Sequence, residues 1–498
     1  MSRKKIGLFS GIIVFIIFLI LPIPKELSRE AMIAAGTALL MAIWWLTEAI
    51  PVFATSFVPL VLFPLFGVLK SKEVALSYGH NYVLMLLAGI IIAKAIESQN
   101  LHKRIALLTI SLIGVNKKKI ILSFMISTAF LSMWIANVAV ALMMLPIGLS
   151  VIKKEETDDS DSNFGLALMV SIAYAASIGG IGSLIGTPPN LVFAGIIESL
   201  YPEAPQITFS DWMLIGLPLT VILLPITWLY IIKFFKIKGE IPGSMEIISE
   251  ELNKLGKITS GEKRVVVVFL ITSLGWIFRK DLVFGDFIFP GWSSLLGVSS
   301  YVHDATIGML GVLLLFLIPS GNKKGTKKAK KALITWKQAE SVPWGVVILV
   351  GGGYAIAKSF VNTGLAEWIG SQVTVLENTS TLLIVFLVVL AITFLTEINS
   401  NTATANIFMP ILATVAIANS THPFLLMIPA TFACSCAFML PSGTGTNAAI
   451  FASERITIPQ MAKTGFLMNF IAILIITLIS YLIVVPLLDL GQLPEWVK

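Results

Sequence analysis

Four short polar clusters interrupt otherwise apolar stretches of this 498-residue chain. They are Ala136-Asn137-Val138, Gly186-Thr187-Pro188-Pro189-Asn190, Ser400-Asn401-Thr402 and Pro441-Ser442-Gly443-Thr444-Gly445-Thr446-Asn447. Proline removes a backbone donor, and glycine permits unwinding. A helix broken at such a point leaves free N–H groups at its new start, where the dipole is positive. Helix starts that face one another make an anion site without arginine. Asn and Thr side chains add neutral donors, and carbonyls freed at the broken ends can hold Na⁺. The alternative is that Gly and Pro merely kink packed helices, with Thr and Asn as interhelical glue. The four clusters fall into two pairs related by an internal repeat, which favours the anion site.

Other chemistry is thinly represented. Acids inside apolar runs are few: Glu48 and Glu97 near helix ends, and Glu397 three residues before the second tip. Intramembrane carboxylates are functional candidates. Glu48 follows Trp44-Trp45 and suits interfacial anchoring or a structural hydrogen bond. Glu397 braces the second tip or relays protons. His80, His102, His303 and His422 lie far apart with no metal-ligand spacing. No Ser-His-Asp set, acidic metal motif or Walker loop appears, so an enzyme has no support and no cofactor is expected. Cys434 and Cys436 form no disulfide framework.

The elements that position these clusters follow from composition. Apolar residues make up 56% of the chain and charged residues 13%, against roughly 25% charged in ordinary soluble domains. Mean hydropathy is +0.90. This excludes a cytosolic enzyme, a secreted disulfide scaffold and a disordered chain. An all-α polytopic membrane protein remains. A bilayer core of about 30 Å takes ~20 apolar residues per helix. Suitable runs fall at 6–24, 31–50, 52–69, 81–97, 163–200, 212–235, 264–280, 303–319, 341–360, 423–454 and 464–490, which makes about 11 crossings. The runs 163–200 and 423–454 are long and broken. Residues 118–152 and 380–418 are each too long for one helix and carry a polar cluster near the middle. Each reads as a re-entrant hairpin, since polar backbone at membrane depth must be covered by protein or line a cavity. Two ordinary spans with a polar turn are the alternative. The first run resembles a signal peptide but has no small-residue cleavage site, so it stays as a span.

Basic residues set the orientation. With the N-terminus inside, inner segments hold 26 of the 35 Lys and Arg and outer segments hold 7. This is the positive-inside pattern of a plasma-membrane protein, with the C-terminus outside. It also accounts for the net charge of +7 without a nucleic-acid partner. The run from Lys323 to Lys331 reads as a linker on the inner side.

The two halves repeat. Gly89 matches Gly353, Ile92-Ala93-Lys94 matches Ile356-Ala357-Lys358, Asn137 matches Asn401 and Pro146-Ile147 matches Pro410-Ile411, all at an offset of 264. Gly186-Thr187 matches Gly443-Thr444, and Asn190 matches Asn447, at 257. The acidic segment Glu155–Asp161, absent from the second half, accounts for the change. An odd number of crossings separates equivalent points, so the second copy is upside down. That is the architecture of secondary transporters. The expected domains are N-terminal scaffold helices at 1–80, a first repeat at 81–235, a linker with connecting scaffold helices at 236–340, and a second repeat at 341–498.

Several stretches resemble the divalent anion:sodium symporter family, the INDY-type di- and tricarboxylate transporters. They are Trp44 to Pro51 (WWLTEAIP), Ser132 to Ala139 (SMWIANVA), Gly186 to Asn190 (GTPPN), Trp336 to Glu340 (WKQAE), Pro343-Trp344-Gly345 with Gly351-Gly352-Gly353, and Thr396 to Ala405 (TEINSNTATA). The resemblance covers nearly the whole chain. It implies a homodimer in which a transport domain moves elevator-fashion against a scaffold, carrying C4 dicarboxylates, 2-oxoglutarate or citrate. In the family each hairpin tip carries Ser-Asn-Thr, contacts substrate carboxylates and helps to form two Na⁺ sites. Carried over residue by residue, Asn137, Ser400, Asn401 and Thr402 match. Thr187, Pro188 and Thr444 fall at unwound-helix positions that contact substrate or ion.

Two departures bear on coupling. The first tip reads Ala136-Asn137-Val138, so both hydroxyls are gone, and Val138 stands at a substrate-facing position. The second unwound segment has Thr444-Gly445 where the family often has Thr-Pro, which gives a more flexible loop at the substrate. A hard cation needs oxygen ligands. A first Na⁺ site impaired at Ala136, with a residual site near Ser400, Asn401 and Thr444, leads to the expectation of a sodium-independent dicarboxylate exchanger. The alternative is an Na⁺-coupled symporter. An anion channel and a membrane-embedded enzyme are the readings from other classes.

Overall fold

The computed structural model describes residues 2–111, 116–158, 163–241, 243–284, 287–321, 331–372 and 380–497. Most of the lysine run, the acidic residues Asp159 and Asp161, and Lys498 lie outside the described residues.

Each expected apolar run corresponds to a helix or a broken pair of helices. In chain order these are Arg3–Ile20, Arg29–Thr47, Val52–Leu65, Asn81–Ser98, Phe164–Ile181 with Pro188–Leu200, Phe209–Phe234, Ser260–Ile277, Asp304–Leu317, Trp344–Asn362, Phe424–Cys434 with Gly445–Phe451, and Ile458–Ile479. Among the described residues the only strands are the short antiparallel pair Leu282–Phe284 and Phe287–Phe289. Among the described residues, eight helical stretches are long and apolar enough to cross a membrane.

Sequence chemistry explains where these helices start. Thr208 with Asp211, Thr259 with Glu262 and Thr457 with Gln460 form capping boxes. Each satisfies two otherwise orphaned N–H groups at the start of a long apolar helix. The Trp44–Pro51 corner ends the second helix. Glu48 is exposed and ends its helix in the left-handed region, at φ 50°. The corner is tied by the buried Trp45, whose indole N–H donates to the Val52 carbonyl at 3.1 Å.

Both long stretches with central polar clusters are helix–tip–helix units. The first joins Lys117–Ser132 to Asn137–Asp158, and the second joins Thr381–Thr396 to Asn401–Ala418. Between the arms of the first lies the most buried candidate span among the described residues, Phe164–Ile181, with 89% of its residues enclosed. Gly179 makes this fit possible. A side chain there would collide with the backbone of Ala129 in the first hairpin. The N-terminal helices form a smaller apolar core of their own, shared with Leu349, Ile356 and Phe360 of Trp344–Asn362 and with Leu365.

The repeat extends further than the matched motifs. The capping boxes at Thr208 and Thr457 differ by 249, as do Gly216 and Gly465. Each glycine lies against the carbonyl of an equivalent residue at a break, Ile181 for Gly216 and Phe438 for Gly465. The helix after each broken pair is therefore part of the repeated unit.

Candidate functional site

The first tip is built around Ser132 and Asn137. The Ser132 Oγ lies 2.6 Å from Asn137 Oδ1 and 2.8 Å from the carbonyl oxygen of Ala176. At the second tip, Thr396 Oγ1 lies 2.8 Å from Asn401 Oδ1 and 3.0 Å from the carbonyl oxygen of Cys434. Each tip thus gathers three oxygens, and each hydroxyl brings one proton to share among them. Such an oxygen-rich cradle suits a hard cation.

Each break is closed by an asparagine. Asn190 Nδ2 donates to the carbonyls of Gly180 at 3.1 Å and Ser183 at 2.7 Å. Asn447 Nδ2 donates to Ala437 and Leu440, both at 3.0 Å. All three residues of each set are related by the same offset of 257. The amides satisfy carbonyls that unwinding would orphan. Their Oδ1 atoms, also buried, have no partner among the described residues.

The clusters meet one another. Asn137 sits against Gly180, where a Cβ would lie 2.6 Å from Oδ1. Val138 contacts Gly445, where a Cβ would lie 2.5 Å from Val138 Cγ2. Ser177 Oγ lies 3.2 Å from Thr446 Oγ1, and Thr446 donates to Thr444 Oγ1 at 3.4 Å. The first tip, the central helix and the second break therefore form one polar centre. Thr187 and Pro188 start the helix beyond the first break. Because Pro188 and Pro189 lack N–H groups, that helix start offers fewer backbone donors than expected. Ser400 is exposed and makes no capping hydrogen bond, while Thr402 is buried. Among the described residues, no hydrogen bond joins Ser400 or Asn401 to Thr444. The second tip reaches the second break instead through Glu397, whose Oε2 faces Gly443.

Ala136 and Val138 are both exposed at the centre. Ala136 occupies the place equivalent to Ser400, whose hydroxyl takes no part in the second oxygen trio. A cavity of about 720 Å³ runs along the first hairpin from Ile135 and Ala139 to Lys103, Glu251 and Lys254. Among the described residues, no group of three or more His, Cys, Asp or Glu is placed to hold a metal.

The family model for the sodium:sulfate symporter transmembrane region matches residues 2–489. The chain belongs to this family. It is an all-α, multi-pass membrane transporter, not an enzyme. The sodium-dependent dicarboxylate transporter SdcS of Staphylococcus saprophyticus is 42% identical over 496 residues, covering 98% of this chain and 92% of the relative. SdcS of Staphylococcus aureus is 41% identical over 502 residues, covering 99% and 94%. Among solved structures, MtrF of Neisseria gonorrhoeae, titled as illuminating a class of antimetabolite efflux pumps, has a TM-score of 0.57 at 13% identity, with 98% of this chain and 96% of that chain covered. The YdaH transporter of Alcanivorax borkumensis has a TM-score of 0.55 at 11% identity, with 98% and 99% covered. These two likenesses show the fold alone.

Sequence reasoning about this family member missed Ser132 and Thr396. A usable signal was present, because they differ by the same 264 that relates Asn137 to Asn401. Of the two roles weighed for Glu397, the contacts favour bracing. Every hydrogen-bond partner it has among the described residues is a donor.

Proposed function

We propose that the chain is an Na⁺-coupled symporter of dicarboxylates of the malate, succinate, fumarate and 2-oxoglutarate class. The observation that carries this reading is the pair of repeat-related oxygen trios, Ser132–Asn137–Ala176 and Thr396–Asn401–Cys434. The naming of the 41–42% identical relatives as sodium-dependent dicarboxylate transporters supports it. This reading displaces the sodium-independent exchange expected from Ala136 and Val138. The trio at the first tip does not draw on position 136, so the missing hydroxyl leaves its three oxygens in place.

Asn137, Thr187, Ser400, Asn401, Thr402 and Thr444 supply neutral donors for the substrate carboxylates. Val138 and Gly445 touch each other and form an apolar wall where the chain of the dicarboxylate lies. Na⁺ is cargo here. Bound between each tip and the broken helix beside it, Na⁺ adds positive charge beside a dianion in a site without Lys or Arg, so the loaded carrier is favoured over the half-loaded one.

The second repeat is inverted relative to the first, and together they form a transport domain that moves as an elevator against the scaffold of a homodimer. Cross-links between the halves, such as the Tyr174 hydroxyl donating to the Phe438 carbonyl at 2.9 Å, support one rigid moving block. The basic-residue bias supports an inner N-terminus and an outer C-terminus in the plasma membrane. The cavity beside the first hairpin, lined by residues of the inner loops, fits an inward-facing state.

The test is binding to purified protein. Succinate should bind in NaCl and lose at least about tenfold in affinity when Na⁺ is replaced by choline. Equal affinity in both salts would overturn the coupling.

A further inference from the structure

The two repeats agree in their oxygen trios, their bridging asparagines and their close-packed glycines. They disagree in charge beside the hydroxyl of each trio. Glu397 follows Thr396 directly, and its carboxylate is buried at 3% exposure. Its Oε1 accepts from the N–H groups of Phe438 at 2.7 Å and Met439 at 2.9 Å, and from Asn469 Nδ2 at 2.8 Å. Its Oε2 accepts from the N–H of Leu440 at 3.1 Å. The equivalent residue in the first repeat is Met133. There the Ser183 hydroxyl donates to the Met133 carbonyl and Gly182 N–H to the Gly179 carbonyl, with no charge involved. Thr220, equivalent to Asn469, donates to the Ile178 carbonyl at 3.1 Å.

We infer that Glu397 is a positioning residue that makes the two cation sites unequal, the second binding Na⁺ more tightly than the first. The inference rests on the sodium-coupled reading above. The carboxylate holds residues 438–440, just beyond Cys434, against the residue next to Thr396. It therefore fixes two of the three oxygens of the second trio relative to each other. A partly buried charge also attracts a cation far more strongly than it would in water. At the first trio the neutral Met133 supplies neither effect. Four donors on one carboxylate hold it in place, so its charge stays behind the trio and does not reach the substrate.

The experiment is Na⁺ titration of purified protein without substrate, read by thermal midpoint, together with Na⁺ activation of succinate uptake in proteoliposomes. The variants are wild type, Glu397→Gln, Glu397→Met and Asn469→Ala. Glu397→Gln should raise the Na⁺ concentration for half-maximal stabilisation by about tenfold. It should leave the succinate KM at saturating Na⁺ within about twofold. Glu397→Met, which installs the first repeat's residue, should shift Na⁺ dependence at least as far. Asn469→Ala keeps the charge but frees one side of the carboxylate, and should shift half-saturation by about threefold. It remains informative if the Glu397 variants fail to fold. A fall in melting temperature in every salt with unchanged Na⁺ half-saturation, in any folded variant, would overturn the inference and leave Glu397 a plain brace. A wild-type protein with no Na⁺ response would instead overturn the sodium-coupled reading itself.

Discussion

Asn137 lies 2.6 Å from Ser132 across the first hairpin tip, oxygen to oxygen, and Thr396 and Asn401 reproduce the arrangement at 2.8 Å across the second. A hydroxyl and an amide oxygen at this distance, with a backbone carbonyl beside them, form the smallest unit from which a cation site can be built. Its duplication by the repeat gives the account its central claim.

Removing one hydroxyl tests that unit. Ser132→Ala should raise the Na⁺ concentration for half-maximal uptake by about tenfold, the equivalent of roughly 1.4 kcal/mol for one lost ligand. Thr396→Val should act in the same direction at the second tip. Ser132→Ala should leave the melting temperature in choline within about two degrees, since the Ala176 carbonyl lies inside its helix, whereas Thr396→Val should lower it by a few degrees, since Cys434 ends its helix and Thr396 donates to its carbonyl. An unchanged Na⁺ curve in both variants would remove these hydroxyls from the site.

Restoring the family hydroxyl at the first tip is the complementary change. Position 136 lies outside the oxygen trio, so Ala136→Ser should alter Na⁺ half-saturation by less than about twofold. Steady-state uptake against Na⁺ reads this directly. Conversion from Na⁺-independent exchange to Na⁺-dependent uptake would show that Ala136 had impaired the first site after all.

The bridging asparagines should matter for stability as well as transport. Asn190→Ala and Asn447→Ala each remove two hydrogen bonds and take the amide from a buried carbonyl, Gly180 or Ala437, while Ser183 and Leu440 keep the N–H groups of Gly186 and Gly443. A cost of about 2–4 kcal/mol follows from roughly 1 kcal/mol per bond plus the desolvation left uncompensated. Thermal unfolding in detergent should show a drop of several degrees for each variant. Equal drops would reflect the equivalence of the two breaks.

Steric intrusion at Gly180 should uncouple folding from binding. A Cβ there would lie 2.6 Å from Asn137 Oδ1. Gly180→Ala should push the amide aside and weaken succinate binding by at least about tenfold. The protein should still elute as a single folded species on size exclusion. Wild-type affinity in this variant would count against Asn137 as a substrate contact.

Much of this was legible in the sequence, and the reasons differ from residue to residue. The breaks stood out because Asn, Gly and Pro are conspicuous inside apolar runs, and Asn137/Asn401 and Asn190/Asn447 recur at fixed spacings. Ser132 and Thr396 did not stand out. A lone hydroxyl in an apolar helix ordinarily bonds its own backbone four residues back, as Ser171 and Thr227 do here. The partners of Glu397 are 41 to 72 residues away in the chain, beyond any local pattern. The third register of the repeat was hidden for a similar reason. Its offset shifts to 249 through a difference in the connecting segments, and the Gly216 and Gly465 contacts with the Thr208 and Thr457 capping boxes reveal it.

Gradient-driven uptake separates sodium coupling from exchange. Proteoliposomes free of internal dicarboxylate receive labelled succinate outside, with an inward Na⁺ gradient imposed or with choline in place of Na⁺. A sodium-coupled carrier gives concentrative uptake with the Na⁺ gradient and background uptake without it. Uptake that ignores Na⁺ and appears only when the vesicles are preloaded with dicarboxylate would contradict it.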